Sequence, residues 1–185
     1  MKRIYILLTR TKSVPSRIVG LFTRSIYTHA AIAFENAPGV FYSFSRLREN
    51  FPLPGGLTEE QTDCGFLGAH KESLCRLMCL EVPDKVAERA HNRVARMIKN
   101  RALFRYSLLG CVACHFGIAH RRRGYYFCSQ FVGEILEKSG AAFFEKDTSL
   151  LKPHDFLHIR NIKNIFCGTT GELSEMLFEP DYVLS

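Results

Sequence analysis

The 185-residue chain contains no internal repeat and no low-complexity tract, which sets aside solenoid and fibrous architectures. It also lacks a long apolar run. The longest stretch free of Asp, Glu, Lys and Arg, Tyr106 to His120, falls short of the roughly 20 residues a membrane-spanning helix requires, and reads as a buried helix. At the N-terminus, MKRIYILLTRTKS has basic residues on both sides of a very short apolar segment, with neither an extended h-region nor a small-residue cleavage site. A secretory signal is therefore not expected, and the reading is of a cytoplasmic chain. No G-x-S-x-G surrounds Ser107 or Ser129, so serine-hydrolase chemistry has no support.

What is present fits one globular domain over residues 1–185, long enough to bury a sizeable core, with 46% apolar and 23% charged residues. Seven cysteines in an intracellular setting argue against a disulfide framework. Cys75 and Cys79, in LCRLMCLEV, read as small buried apolar residues. Cys64 and Cys167 have no partner pattern. The net charge of +7 and pI near 9.1 are moderately basic, with Arg121, Arg122 and Arg123 in one run. That run reads first as a solvated loop, and secondarily as a peripheral membrane contact or another anion-binding patch. The aromatics are mostly Phe within apolar patterns and do not interleave with the basic residues, which argues against nucleic acid as a partner.

Hydrophobic periodicity predicts an α+β fold, an antiparallel sheet packed against helices. Strands are expected at Ile4–Thr9, Tyr27–Phe34, Val40–Ser45 and Leu74–Val82. The turn Glu35–Gly39 makes the second and third a hairpin. A helix opens at Pro15, with Ile18, Leu21 and Phe22 on its apolar face. Asn50–Glu60 reads as a Pro/Gly-rich loop. Asp84 is the expected N-cap of a helix with the stripe Val86, Ala90, Val94, Met97 and Ile98. A second helix covers about Leu103–Ala119. A third starts near Cys128, buries Phe131, Ile135 and Leu136, and stops at Lys138-Ser139-Gly140. One or two further strands are expected within Phe156–Cys167.

The chemistry concentrates on two residues. Cys128 opens an amphipathic helix, where free backbone N–H groups favour a thiolate. His29 sits early in an apolar strand, placed to act as its base. Each alone is as well explained as a core residue; together they form a nucleophile–base pattern in which the histidine precedes the cysteine by about a hundred residues. Counting across the hairpin, the returning-strand position opposite His29 falls near Ser43, and alternation places Ser45 on the same face.

Two segments carry a resemblance: Thr28-His29-Ala30-Ala31-Ile32 and Tyr126-Phe127-Cys128-Ser129-Gln130-Phe131-Val132. A strand histidine followed far downstream by a [YF]-x-C-S-x-[FL]-V helix resembles the circularly permuted branch of the papain-like NlpC superfamily. That branch includes the YiiX/YebB-like and lecithin:retinol acyltransferase-like groups. The segment Leu8 to Ser25, Tyr42-Ser43-Phe44 and Lys152-Pro153 are similar to bacterial relatives of that branch. The resemblance implies a permuted papain-like fold with its nucleophile at a helix N-terminus, Cys128 as nucleophile and His29 as base. It also implies a polar residue on the neighbouring strand, Ser43 or Ser45, that orients the ring. The expected activity is that of a cysteine hydrolase or thioester-forming acyl transferase on a peptide, amide or acyl-ester substrate, with no metal or cofactor. The alternatives are an inactive papain-like binding module, favoured by the weak third residue, and a lipid-directed enzyme docked through Arg121–Arg123.

Two competing signals remain. Cys111-Val112-Ala113-Cys114-His115 fits the C-x-x-C-H haem pattern, but in an apolar helical stretch its thiols are expected to pack, and a zinc site lacks a second close ligand pair. His115 and His120 are poorly spaced to share a metal. His154-Asp155 reads as a surface turn.

Overall fold

A computed structural model describes residues 1–10, 26–37, 39–46, 55–61, 68 and 70–178. The helix expected at Pro15, the segment Leu8 to Ser25 beyond residue 10, and Cys64 lie outside the described residues.

The most apolar strand is the most central one. β1 (Lys2–Thr9) buries every residue from Ile4 to Thr9, so it needs cover on both faces. It pairs antiparallel with β2 (His29–Phe34) on one side and β5 (Leu74–Val82) on the other. β3 (Val40–Arg46) and β4 (Gly55–Gln61) extend the sheet beyond β2, and β8 (Lys163–Thr169) closes the other edge. The result is a six-stranded antiparallel sheet of order β4-β3-β2-β1-β5-β8.

Alternation along the strands splits the core into two clusters. Ile4, Ile6, Leu8, Ala30, Ile32 and Phe44 meet α1 (Asp84–Lys99) and α3 (Cys128–Ser139) through Ala90, Val94, Phe131 and Ile135. Tyr5, Leu7, Ala31, Ala33 and Phe41 meet α4 (Thr170–Phe178) through Leu173. The protein is therefore α+β, with helices on both faces of an antiparallel sheet. α3 ends as expected: Gly140 caps it at φ 81°, a left-handed conformation that glycine adopts without steric cost. Among the described residues no helix is long and apolar enough to cross a membrane.

Several expectations are corrected. Residues 55–60 of the expected loop belong to β4, because Gly55 and Gly56 let the chain pass close to its neighbours: a Cβ at Gly55 would lie 2.7 Å from Tyr106 Cβ. Pro83, not Asp84, precedes the first turn of α1, and its carbonyl accepts from Val86 and Ala87. Asp84 sits inside that turn and pairs with the Met1 amine at 2.9 Å.

The helix expected over Leu103–Ala119 is broken into three pieces. Arg101–Leu103 is a 3₁₀ turn, β6 (Arg105–Tyr106) pairs in parallel with β7 (Tyr125–Tyr126), and only α2 (Leu108–His115) is α-helical. Ser107 starts α2 by accepting from Gly110 N–H at 3.1 Å, and Gly117, at φ 72°, follows its end. Nor is α2 buried all round, since Leu108, Leu109 and Val112 are exposed. Pro153–His158 is 3₁₀ and the last strand starts only at Lys163. The unexpected α4 follows a reciprocal cap: Thr169 N–H donates to Glu172 Oε2 at 2.7 Å, and Glu172 N–H to Thr169 Oγ1 at 3.3 Å.

Phe131 joins α3 to the sheet, its ring 5.2 Å from that of Phe44. Phe131→Ala is expected to lower the unfolding free energy by about 3–5 kcal/mol, read from urea unfolding. A loss below about 1 kcal/mol would show that α3 is not packed as described.

Candidate active site

Cys128 is the first residue of α3, preceded by Phe127 in an extended conformation. The turn that delivers it is fixed from upstream, where Ser107 N–H donates to Tyr126 O at 2.8 Å. The side chain is buried, at 8% exposure. His29 is the first residue of β2, paired with Thr9 of β1. The two side chains act on each other's ionisation: Cys128 raises the pKa of the His29 ring, and His29 lowers that of the Cys128 thiol. The backbone N–H groups of Ala30 and Ser129 also favour the thiolate.

The far side of the ring is held by β3 and β4. Ser43 Oγ lies 3.1 Å from His29 Nε2, and its own proton goes to Ala30 O at 2.9 Å. A hydroxyl has one proton, so Ser43 accepts from His29 Nε2–H. That places a proton on Nε2 and leaves Nδ1 for exchange with the thiol.

Glu60 adds what the hairpin alone does not offer. Its carboxylate is buried, with Oε1 3.6 Å from His29 Nε2 and accepting from Thr58 Oγ1 at 3.2 Å. Oε2 has no partner among the described residues. The register explains this convergence: Ser43 pairs with Thr58 and Phe41 with Glu60, so Ser43, Thr58 and Glu60 share one face.

These groups set one another's protonation. Burial by itself would lower the His29 pKa, but the Glu60 charge and the Cys128 thiolate outweigh it and hold it at about 10. Burial would raise Glu60, and the imidazolium with the hydrogen bonds from His29, Ser45 and Thr58 brings it below its ordinary value. Burial would likewise raise Cys128, whereas His29 and the two backbone N–H groups bring it below 9.0. Each of these shifts favours the charged form, towards a carboxylate, an imidazolium and a thiolate in series.

The remaining candidates separate from this group. Ser43 touches the imidazole, but Ser45 does not: it bonds Thr58 Oγ1 at 2.8 Å and acts on Glu60 instead. Cys114 is buried with Sγ 3.7 Å from Leu151 O, and Cys111 is half-buried. Burial pushes their thiols up to about 11 and about 12. Among the described residues no group of three or more His, Cys, Asp or Glu is arranged to hold a metal ion. His154 packs against His158, and Asp155 binds the Lys146 ammonium at 2.8 Å and Lys152 N–H at 2.6 Å. Ser129 donates to Leu151 O at 2.6 Å. Cys75 and Cys79 are buried.

Glu60 is the residue that sequence reasoning missed. The signal was available in Gly55–Gln61: read with period two, one of the adjacent Glu59 and Glu60 must share a face with Thr58. Compared with known proteins, the chain matches no family model and no curated sequence.

Iodoacetamide at pH 7 is expected to alkylate Cys128 at least about tenfold faster than Cys167, the exposed one among the described cysteines. Glu60→Gln should slow Cys128 labelling about tenfold, because the His29 imidazolium that favours the thiolate loses the carboxylate that stabilises it. Labelling of Cys128 no faster than that of Cys167 would contradict the assigned ionisation.

Proposed function

We propose that the protein is a cysteine hydrolase or acyl transferase of the circularly permuted papain-like type, acting on an amide or ester through a thioester. The observation that carries this reading is the Cys128–His29 contact backed by the buried Glu60 carboxylate.

The Cys128 thiolate attacks the substrate carbonyl carbon, and the carbonyl oxygen takes up the negative charge. As the first residue of a helix, Cys128 has a backbone N–H with no intrahelical acceptor, suited to receive that oxyanion. His29 then passes its Nδ1 proton to the leaving amine or alcohol, and the acyl group remains on sulfur as a thioester. Neutral His29 next deprotonates an incoming water in a hydrolase, or an acceptor nucleophile in a transferase. Attack on the thioester releases the acyl product and returns the thiolate–imidazolium pair.

Ser43 and Glu60 are positioning residues. Ser43 fixes the tautomer, and Glu60 stabilises the imidazolium more strongly than a hydroxyl does. With the carboxylate in place, the weakness of a lone serine no longer favours an inactive binding module. Peptide, amide and acyl-ester substrates all satisfy this chemistry, and the fold class does not choose among them.

With p-nitrophenyl acetate, a burst of one equivalent of p-nitrophenolate is expected, together with one acetyl group on Cys128 by mass spectrometry. Cys128→Ala should abolish both. His29→Ala should lower kcat/KM by about 10²–10⁴-fold, and Ser43→Ala by about tenfold. The kcat/KM profile should be bell-shaped, rising through the Cys128 ionisation below 9.0 and falling near 10 as the His29 proton is lost. Acetylation that persists in Cys128→Ala would overturn the assignment.

A further inference from the structure

We propose that the outer face of α2, with the arginine loop that follows it, docks on an anionic lipid bilayer. The inference is independent of the chemistry at Cys128.

α2 is apolar on two sides. Gly110 and Cys114 face the core, yet Leu108, Leu109 and Val112 are 43%, 65% and 44% exposed, followed by Phe116 at 72% and Ile118 at 61%. Leu109, Val112 and Phe116 follow i, i+3, i+7 spacing and form one outward stripe. Isolated surface leucines need no explanation, but five large apolar side chains in one short segment do.

The charge around the stripe is of one sign. From Arg89 to Gly133 the sequence has Lys and Arg and no Asp or Glu. Arg101 and Arg105 are exposed before α2, and Arg122 and Arg123 after it. Two carboxylates beside the arginine loop are already engaged: Arg121 binds Asp147 at 3.0 Å and Glu134 at 3.8 Å, and Glu134 also pairs with Arg93 at 3.6 Å. Arg122 lies 3.9 Å over the Tyr125 ring.

Exposed aliphatic and aromatic side chains flanked by arginines match the acyl–headgroup boundary of an anionic bilayer, where the apolar stripe inserts and the guanidinium groups meet phosphates. A nucleic acid would satisfy the arginines but leave the stripe in water. A second copy would set arginine against arginine. The face adjoins the proposed active site, because β6, immediately before α2, pairs with β7, which leads directly into Cys128.

The chain contains no tryptophan, so Phe116→Trp in the full-length protein gives a single fluorescent reporter. Its emission is expected to shift to the blue with phosphatidylglycerol-containing vesicles, and to stay unchanged with heparin. Affinity for those vesicles should fall at least about tenfold in Leu109→Glu/Val112→Glu, and about tenfold in Arg122→Ala/Arg123→Ala and on raising salt. Three results would each overturn the proposal: no blue shift with anionic vesicles, binding that is indifferent to salt and to both variants, or a shift that follows protein concentration without lipid. The salt and vesicle series on the Phe116→Trp protein decides the matter even if the double glutamate variant does not fold.

Discussion

The interaction on which the rest of the site depends is the buried contact between the Glu60 carboxylate and the His29 ring. A carboxylate removed from water is tolerated only with a compensating charge and hydrogen bonds, and removing one member of such a pair typically costs about 3–5 kcal/mol. Here the compensation comes from three strands. β2 supplies the imidazole, β3 the Ser43 hydroxyl and β4 the Thr58 hydroxyl together with the carboxylate itself. The antiparallel register that pairs Ser43 with Thr58 and Phe41 with Glu60 is therefore a condition for the site's charge as well as for the sheet.

The same charge reaches the sulfur through backbone geometry. Ala30 serves both halves of the site: its carbonyl accepts from Ser43, and its N–H approaches the Cys128 sulfur. α3 is anchored to the sheet by Phe131, Val132 and Ile135, so packing sets where its first residue lies relative to β2. Thiolate character at Cys128 is thus a joint product of a helix start, an imidazolium and a hydrophobic core that holds the two in contact.

Much of this was legible in the sequence where periodicity was long and unambiguous. The apolar strands around Ile6, Ile32 and Leu77, and the helix from Cys128 to Gly140, follow directly from side-chain pattern and capping chemistry. Counting across the hairpin found the right strand face but not the register: Ile32 pairs with Tyr42, which sets Ser45 opposite His29, and Ser43 reaches the ring diagonally. The reading failed where glycine stood for close packing. Gly55 and Gly56 imitate a loop but admit the neighbouring chain, and the strand that carries Glu60 was hidden with them. It failed again around α2, where an uncharged apolar segment implied one long buried helix. Ser107 and Gly117 delimit a short one, and its outer face stays in solvent.

The most direct test of the account is the protonation state of His29 by ¹⁵N NMR of histidine-labelled protein, at a pH midway between 6.5 and about 10. The account predicts an imidazolium with both ring nitrogens protonated, reverting to neutral imidazole in Glu60→Gln. A neutral His29 ring at that pH in the unaltered protein would contradict it.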